Sequence, residues 1–176
     1  MAEFGDRLKT KIDEYAKNLR SANMVKVGWS SEAKYEDGTY VAQIAAIQEF
    51  GAPKRSIPPR PFMRPLVRRD SKDWGGRLNA ALKHYQGDAE AALEALGQEI
   101  EADLIEEIAN VNDPPLSPIT LMLRKWRKND PTLKVTGKTV GEAAAAVAAG
   151  ESTDGVSTKP LNDTGHMLDT IRHIVE

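Results

Sequence analysis

Three histidines, a set of closely spaced acids and two clusters of arginine and lysine are the residues in this chain whose types could do chemistry. His84, His166 and His173 have neither the His-Glu-x-x-His nor the His-x-Asp spacing that brings ligands onto one metal. Asp163 and His166 offer the carboxylate and imidazole of a general-base pair. No Gly-x-Ser-x-Gly turn supplies a nucleophile for them to activate. Glu99, Asp103, Glu106 and Glu107 line a helix surface, but without an Asp-x-Asp-x-Asp-Gly loop they read as a solvated acidic face rather than a calcium site. Gly-x-Gly-x-x-Gly and Gly-x4-Gly-Lys-Ser/Thr phosphate loops are missing, and so is cysteine, which removes disulfides, thiolate zinc sites and thiol catalysis. The expectation is a protein that is not an enzyme, with no cofactor and no metal.

The basic clusters suggest a different chemistry. Arg60, Arg64, Arg68 and Arg69 surround Phe62, and Arg124, Lys125, Arg127 and Lys128 surround Trp126, an interleaving that suits phosphate and base contacts. Against this, Phe62 and Trp126 fall where the apolar periodicity places a core. The 24 Lys+Arg against 26 Asp+Glu, a net charge of -2, also argue against a general polyanion binder. The charges are segregated. Residues 54–72 hold seven bases and one acid, residues 85–113 nine acids and no base, and residues 124–138 six bases and one acid. Such blocks are either solvated faces or surfaces that meet, within the fold or between copies.

These residues need elements to position them. At 176 residues, 40% apolar and 28% charged, one domain is expected. Phe4, Leu8, Ile12, Tyr15 and Leu19 define one face of a first helix. Val25, Val27 and Trp29 alternate with Lys26 and Ser30 as a strand. Val41, Ile44, Ala45, Ile47 and Gln48 fit a short helix that Gly51 ends. Residues 51–65 carry five prolines and read as a stiff, packed loop. Helices follow over about 65–85, with Gly75 and Gly76 at its centre, over 88–110 behind an Asp88 cap, and over 119–128 behind Ser117-Pro118. Residues 132–159, rich in Gly, Ala, Thr and Ser, carry too little apolar surface for a core and are expected to be an arm, an extended hairpin or a disordered insertion. A short helix at Met167, Leu168 and Ile171 and a strand over 172–175 finish the chain. The domain therefore comprises 1–131 and 160–176, interrupted by the 132–159 insertion. Its fold class is α+β, a small mostly antiparallel sheet packed on two or three long helices. No apolar run approaches the ~20 residues of a membrane span, and the opening residues lack a signal-peptide stretch, so a cytoplasmic product, or one assembled there, is expected.

Four segments, in order, resemble one family. Ile44 to Ala52 is similar to a short helix ending Glu-Phe-Gly (Glu49, Phe50, Gly51). Ile57-Pro58-Pro59-Arg60-Pro61-Phe62-Met63 is similar to an Ile-Pro-x-Arg-Pro-Phe-Leu loop. Pro115-Leu116-Ser117-Pro118-Ile119-Thr120 resembles the approach to the last segment, Lys159-Pro160-Leu161-Asn162-Asp163-Thr164-Gly165-His166-Met167, which is similar to Lys-Pro-Leu-x-Asp-Thr-Gly-x-Leu. Together they resemble the tailed-phage virion morphogenesis proteins, the Mu-like tail-completion and neck family with its distant siphophage relatives. The 132–159 excursion is longer than the family's usual link. The resemblance implies an α+β subunit of a homo-oligomeric ring at the head–tail junction of the virion, assembled in the host cytoplasm. Its partners would be further copies of itself, head-completion or connector proteins, and tail terminator or tail tube proteins. Passing contact with packaged DNA is compatible with this, and no membrane is involved. The alternative is a nucleic-acid-binding accessory protein of phage assembly. Assembly contacts are expected from Ile57, Arg60, Phe62 and Arg64 on the loop and from Arg124, Lys125, Arg127 and Lys128 on the helix, with Ile57 and Phe62 as its apolar anchors. Glu49, Gly51, Pro61, Asp163, Thr164 and Gly165 are expected to shape the backbone, with Asp163 or Thr164 capping the last helix and Gly165 permitting its turn.

Overall fold

The computed structural model describes residues 2–20 and 22–176, and within them an α+β fold. Helices α1 (Ala2–Asn18), α2 (Val41–Phe50), α3 (Met63–His84), α4 (Ala89–Asn110), α5 (Pro118–Asn129), α6 (Gly137–Ala148) and α7 (His166–Asp169) accompany strands β1 (Val25–Trp29) and β2 (Ile171–Val175). The strands pair antiparallel, with Val25 opposite Val175 and Trp29 opposite Ile171. Among the described residues no helix is long and apolar enough to cross a membrane.

Helix α4 is the spine. Asp88 caps it, its carboxylate accepting the Ala91 N–H at 3.1 Å, and Leu93, Leu96, Ile100, Leu104 and Ile108 are all buried along one side. α3 lies against it as the other arm of a helical hairpin, and the sheet lies across it. The crossing needs Gly97: a Cβ there would stand 2.5 Å from the His173 ring and 2.9 Å from Val25 Cγ2, so bare helix backbone is what lets the sheet come down. His173 is then held between two α4 carboxylates, Nδ1 2.6 Å from Glu101 and Nε2 3.0 Å from Glu94. The Glu101 bond first, then the Glu94 bond, raise its pKa above the ordinary imidazole value, with partial burial pulling the other way.

The main core gathers Val41, Ala45, Phe62, Leu66, Leu104, Ile108, Leu161, Met167 and Ile171. It therefore joins α2, the proline-rich loop, α3, α4, the 160–165 approach, α7 and β2. A second cluster is separate from it. Met122, Ile119, Leu123 and Trp126 of α5 pack on Ala143, Ala146 and Val147 of α6.

The second cluster corrects the expectation for residues 132–159. The segment is not wholly an arm or a loop, because its middle is α6, opened by a reciprocal Thr136–Thr139 capping box. Alanine has the highest helix propensity, and its small side chain brings the α6 backbone close to the large apolar face of α5. The contact area comes from α5 rather than from the segment itself. Of the face expected for α1, the side chains of Phe4 and Leu8 lie outside the described residues. Ile12, Tyr15 and Leu19 are half-exposed, with the Tyr15 ring laid against Gly87. α3 runs unbroken through Gly75 and Gly76. Both are exposed, and both have open space where a Cβ would stand. Each costs the helix about 0.5–1 kcal/mol relative to alanine.

Candidate functional site

The proline-rich loop is ordered by a carboxylate that comes from the preceding helix. Glu49, near the end of α2, is 4% exposed. One of its oxygens accepts the N–H groups of Phe62 (2.7 Å) and Met63 (2.9 Å). The other accepts Arg64 N–H (3.2 Å) and Arg64 Nε (2.7 Å), while Arg64 Nη2 donates to the Glu49 carbonyl (2.8 Å). No side chain at Phe62 caps α3, so Glu49 performs that role from outside the helix. The bookkeeping of unpaired donors at the α3 N-terminus closes: Pro65 has no N–H, and Leu66 N–H reaches the Phe62 carbonyl at 3.4 Å. Burial works against the ionised carboxyl, but the Arg64 guanidinium and the three amides outweigh it, and the Glu49 pKa lies below the ordinary value.

Gly51 turns the chain away from α2 with φ +75°, and a Cβ there would stand 2.8 Å from Pro59 N. Both the sign of φ and the space require glycine. Pro61 is exposed and Ile57 half-buried, its backbone bridged to Ala52. Phe62 is 1% exposed and meets Trp29 edge-on, with centroids 5.9 Å apart.

Arg60 is buried, and its head group serves oxygens of neutral groups. Nε donates to the Pro114 carbonyl (2.9 Å), Nη2 to the Pro115 carbonyl (3.3 Å) and Nη1 to Gln48 Oε1 (3.4 Å). Desolvation lowers its pKa. Arg124 repeats the arrangement. Nη1 donates to the carbonyls of Ser157 and Lys159 (both 2.8 Å), Nη2 donates to Pro160 (3.2 Å), and Nε lies 3.3 Å from Asp163. Burial lowers its pKa, and Asp163 acts in the opposite sense.

These placements revise the expected assembly residues. Arg60 and Arg124 are internal clamps rather than outward contacts. Lys125 and Lys128 donate to the carbonyls of Ser152 and Gly155, tying α5 to the segment that returns from α6. Arg127 and Lys128 are exposed, and Arg64, though bound to Glu49, leaves about half its side chain exposed over the Phe50 ring at 5.0 Å. Asp163 does not cap α7. It pairs with Arg124, and Thr164 Oγ1 accepts His166 N–H only at 3.4 Å. Gly165 itself stands at the N-cap with φ +82°, as its role in the turn required. His166 Nε2 lies 2.9 Å from the Lys34 carbonyl, so Asp163 and His166 are not brought together as a pair. His84 stands exposed against Tyr85, as a helix tip.

The unexpected side chains here are the two buried arginines; the sequence signals that such donors are needed, but not which side chains supply them. Proline-rich segments cannot build regular ladders, so their carbonyls need donors from side chains. Arginine has five donors and a long reach. Replacing Arg124 with alanine strands those carbonyls and is expected to lower stability by about 1–3 kcal/mol. Arg127→Ala, at an exposed position, should stay within about 0.5 kcal/mol. Thermal melts of the two variants side by side check this.

The geometry defines a class: an α+β fold whose proline-rich loop, 111–117 link and 157–165 return are locked together by one buried glutamate and two buried arginines. Among the described residues no set of His, Asp and Glu is grouped to hold a metal. Compared with protein-family models, curated proteins and solved structures, the chain finds no match in any of the three.

Proposed function

We propose that the chain is a structural subunit of a phage neck, a ring-forming protein of tail completion or head–tail joining. One observation carries the reading beyond the motif order. The segments that resemble the neck family fall in three stretches far apart in the chain, 44–63, 115–120 and 159–167; Glu49, Arg60 and Arg124 tie them together, and the first and last share a core through Phe62, Leu161 and Met167. A shared fold, rather than chance matches, would bring four motifs together in this way. A loop already fixed in shape also loses little entropy when it meets fixed neighbours in an assembly. The proposed partners are further copies of the chain, connector or head-completion proteins on one side, and tail terminator or tail tube proteins on the other. The proposed location is the virion, and catalysis has no part in the role.

The alternative, a nucleic-acid-binding accessory protein, draws its support from the exposed bases on α3. A phage deleted for this gene separates the two. The neck reading expects DNA-filled heads beside unattached or faulty tails. Joined, infectious virions would overturn it, and joined but empty particles would favour the alternative.

A further inference from the structure

Phe50 is 65% exposed, more than any other large apolar side chain among the described residues, although phenylalanine is among the types most often buried. It ends α2 directly after Glu49, the carboxylate that orders the proline-rich loop, so the ring is presented from a fixed backbone. Arg64 lies over the ring at 5.0 Å, and no other ring or cation stands against it among the described residues. Arg64 is itself held: Nε and Nη2 bind Glu49, which leaves Nη1 without a partner among the described residues.

From this pair a strip of bases runs along α3. Arg64, Arg68 and Lys72 recur every four residues, a rise of about 6 Å and a rotation of about 40° at each step, so all three lie within about 80° of the helix circumference. Arg68 and Lys72 are exposed and form no ion pair among the described residues. Asp70 and Asp73 lie about 160° and about 140° round the helix from Arg68. The acids that α4 turns toward α3 are met by Arg69 and Arg77. Gly75 falls on the same arc as the bases and has open space where a Cβ would stand, so a ligand can lie close to the backbone there. Lys54 and Arg55, exposed on the 3-10 turn Pro53–Arg55 that follows Phe50, add two more bases without an ion pair among the described residues. The net charge of -2 does not oppose a local contact, because charges more than about 10 Å away are largely screened at 0.1 M salt.

We propose that Phe50 and the strip of Arg64, Arg68 and Lys72 form a contact site for single-stranded nucleic acid. An unpaired base stacks on the open face of Phe50, and the phosphates that follow it run along the bases of α3. The chemistry selects this occupant. Bases without counter-charge call for a polyanion. A bare aromatic ring beside them calls for a flat apolar partner, which a single strand offers and a duplex hides within its own stack. The site also differs from the clusters expected from the sequence, where the aromatic was Phe62: that ring is buried, and Phe50 is the one within reach of a ligand.

Fluorescence anisotropy of a labelled oligothymidylate with the purified full chain, from low to high salt, tests this. Wild-type protein is expected to bind at low salt and to lose affinity as salt rises. R68Q/K72Q should weaken binding at least about tenfold and reduce the log–log salt slope by about 1.4, since each phosphate contact on a single strand contributes about 0.7. Phe50→Ala should weaken binding at least about fivefold with the salt slope unchanged, because stacking releases no counterions, and Phe50→Tyr should retain it. These variants should melt as wild type does, since all three positions are exposed. Lys83→Gln, at an exposed base of α3 about 22 Å from Arg68, should alter neither affinity nor slope. No binding at low salt, an equal loss from Lys83→Gln, or a Phe50→Ala variant that binds as wild type does would each overturn the site. Tighter binding to a duplex of the same length, or to poly-glutamate, would also overturn it and assign the strip to duplex phosphates or to an acidic protein segment. The outcome is independent of the neck reading, which the deletion phage decides separately.

Discussion

Phe62→Ala is expected to lower the stability of this protein by about 3–5 kcal/mol, the range for truncating a fully buried phenylalanine. For a chain of this size that is a fall of roughly 6–20 °C in melting temperature. The ring is 1% exposed and sits where α2, α3, α4 and the sheet meet, edge-on to Trp29. Trp29 is itself fixed by its indole N–H, which donates to the Met167 carbonyl at 2.7 Å. Trp29 is therefore not free to swing into the space, and the cost should fall toward the upper part of the range. Phe50, in the preceding motif, is the control. It is 65% exposed under Arg64, and Phe50→Ala should stay within about 1 kcal/mol. Equal melting temperatures for the two variants would contradict the packing described above.

The parts of this fold that were legible in the sequence are those where one physical signal dominates. The α4 positions 93, 96, 100, 104 and 108 are buried as their spacing required, because a helix with apolar residues on one side has one way to hide them. The alternation at Val25, Val27 and Trp29 marked a strand because a period of two allows no other face. Residues 132–159 were illegible because their stability is borrowed. Alanines offer little area alone, and the surface they cover, around Met122 and Trp126, lies on another helix. Arg60 and Arg124, expected to face outward, are buried for a related reason. A cationic side chain is ordinarily exposed, and the exceptions here are set by distant carbonyls at 114–115 and 157–160, whose proximity no local pattern encodes. Charge segregation was visible from the start. Which charges of each block cancel inside the fold follows only from the facing of α3 and α4.

Glu49 is where the loop and the long hairpin depend on one ionised group, and its behaviour with pH can be worked out. Its pKa in the folded protein is lower than in the unfolded chain, held down against burial by Arg64 and by the amides of Phe62, Met63 and Arg64. The unfolded state therefore takes up the proton first as pH falls. The stabilisation from Glu49 is fully present above the ordinary carboxyl pKa, and it is lost progressively as pH drops through the lower, folded value. Glu49→Ala removes the group at every pH. It deletes the side-chain cap of α3, worth up to about 2 kcal/mol, and strands buried amides at about 1–3 kcal/mol, so a loss of about 2–5 kcal/mol at neutral pH is expected. Glu49→Gln keeps the shape and one acceptor oxygen but no charge. It should fall between wild type and Glu49→Ala at pH 7 and converge on wild type in acid, where the wild-type carboxyl is itself neutral. Denaturant midpoints of the three proteins between neutral and acid pH measure this directly. A constant gap between Glu49→Gln and wild type across that range would show that the carboxylate charge contributes nothing and that the amides are held by shape alone. A gap that closes in acid assigns the α3 N-terminus, and with it the proline-rich loop, to the ionised form of this one side chain.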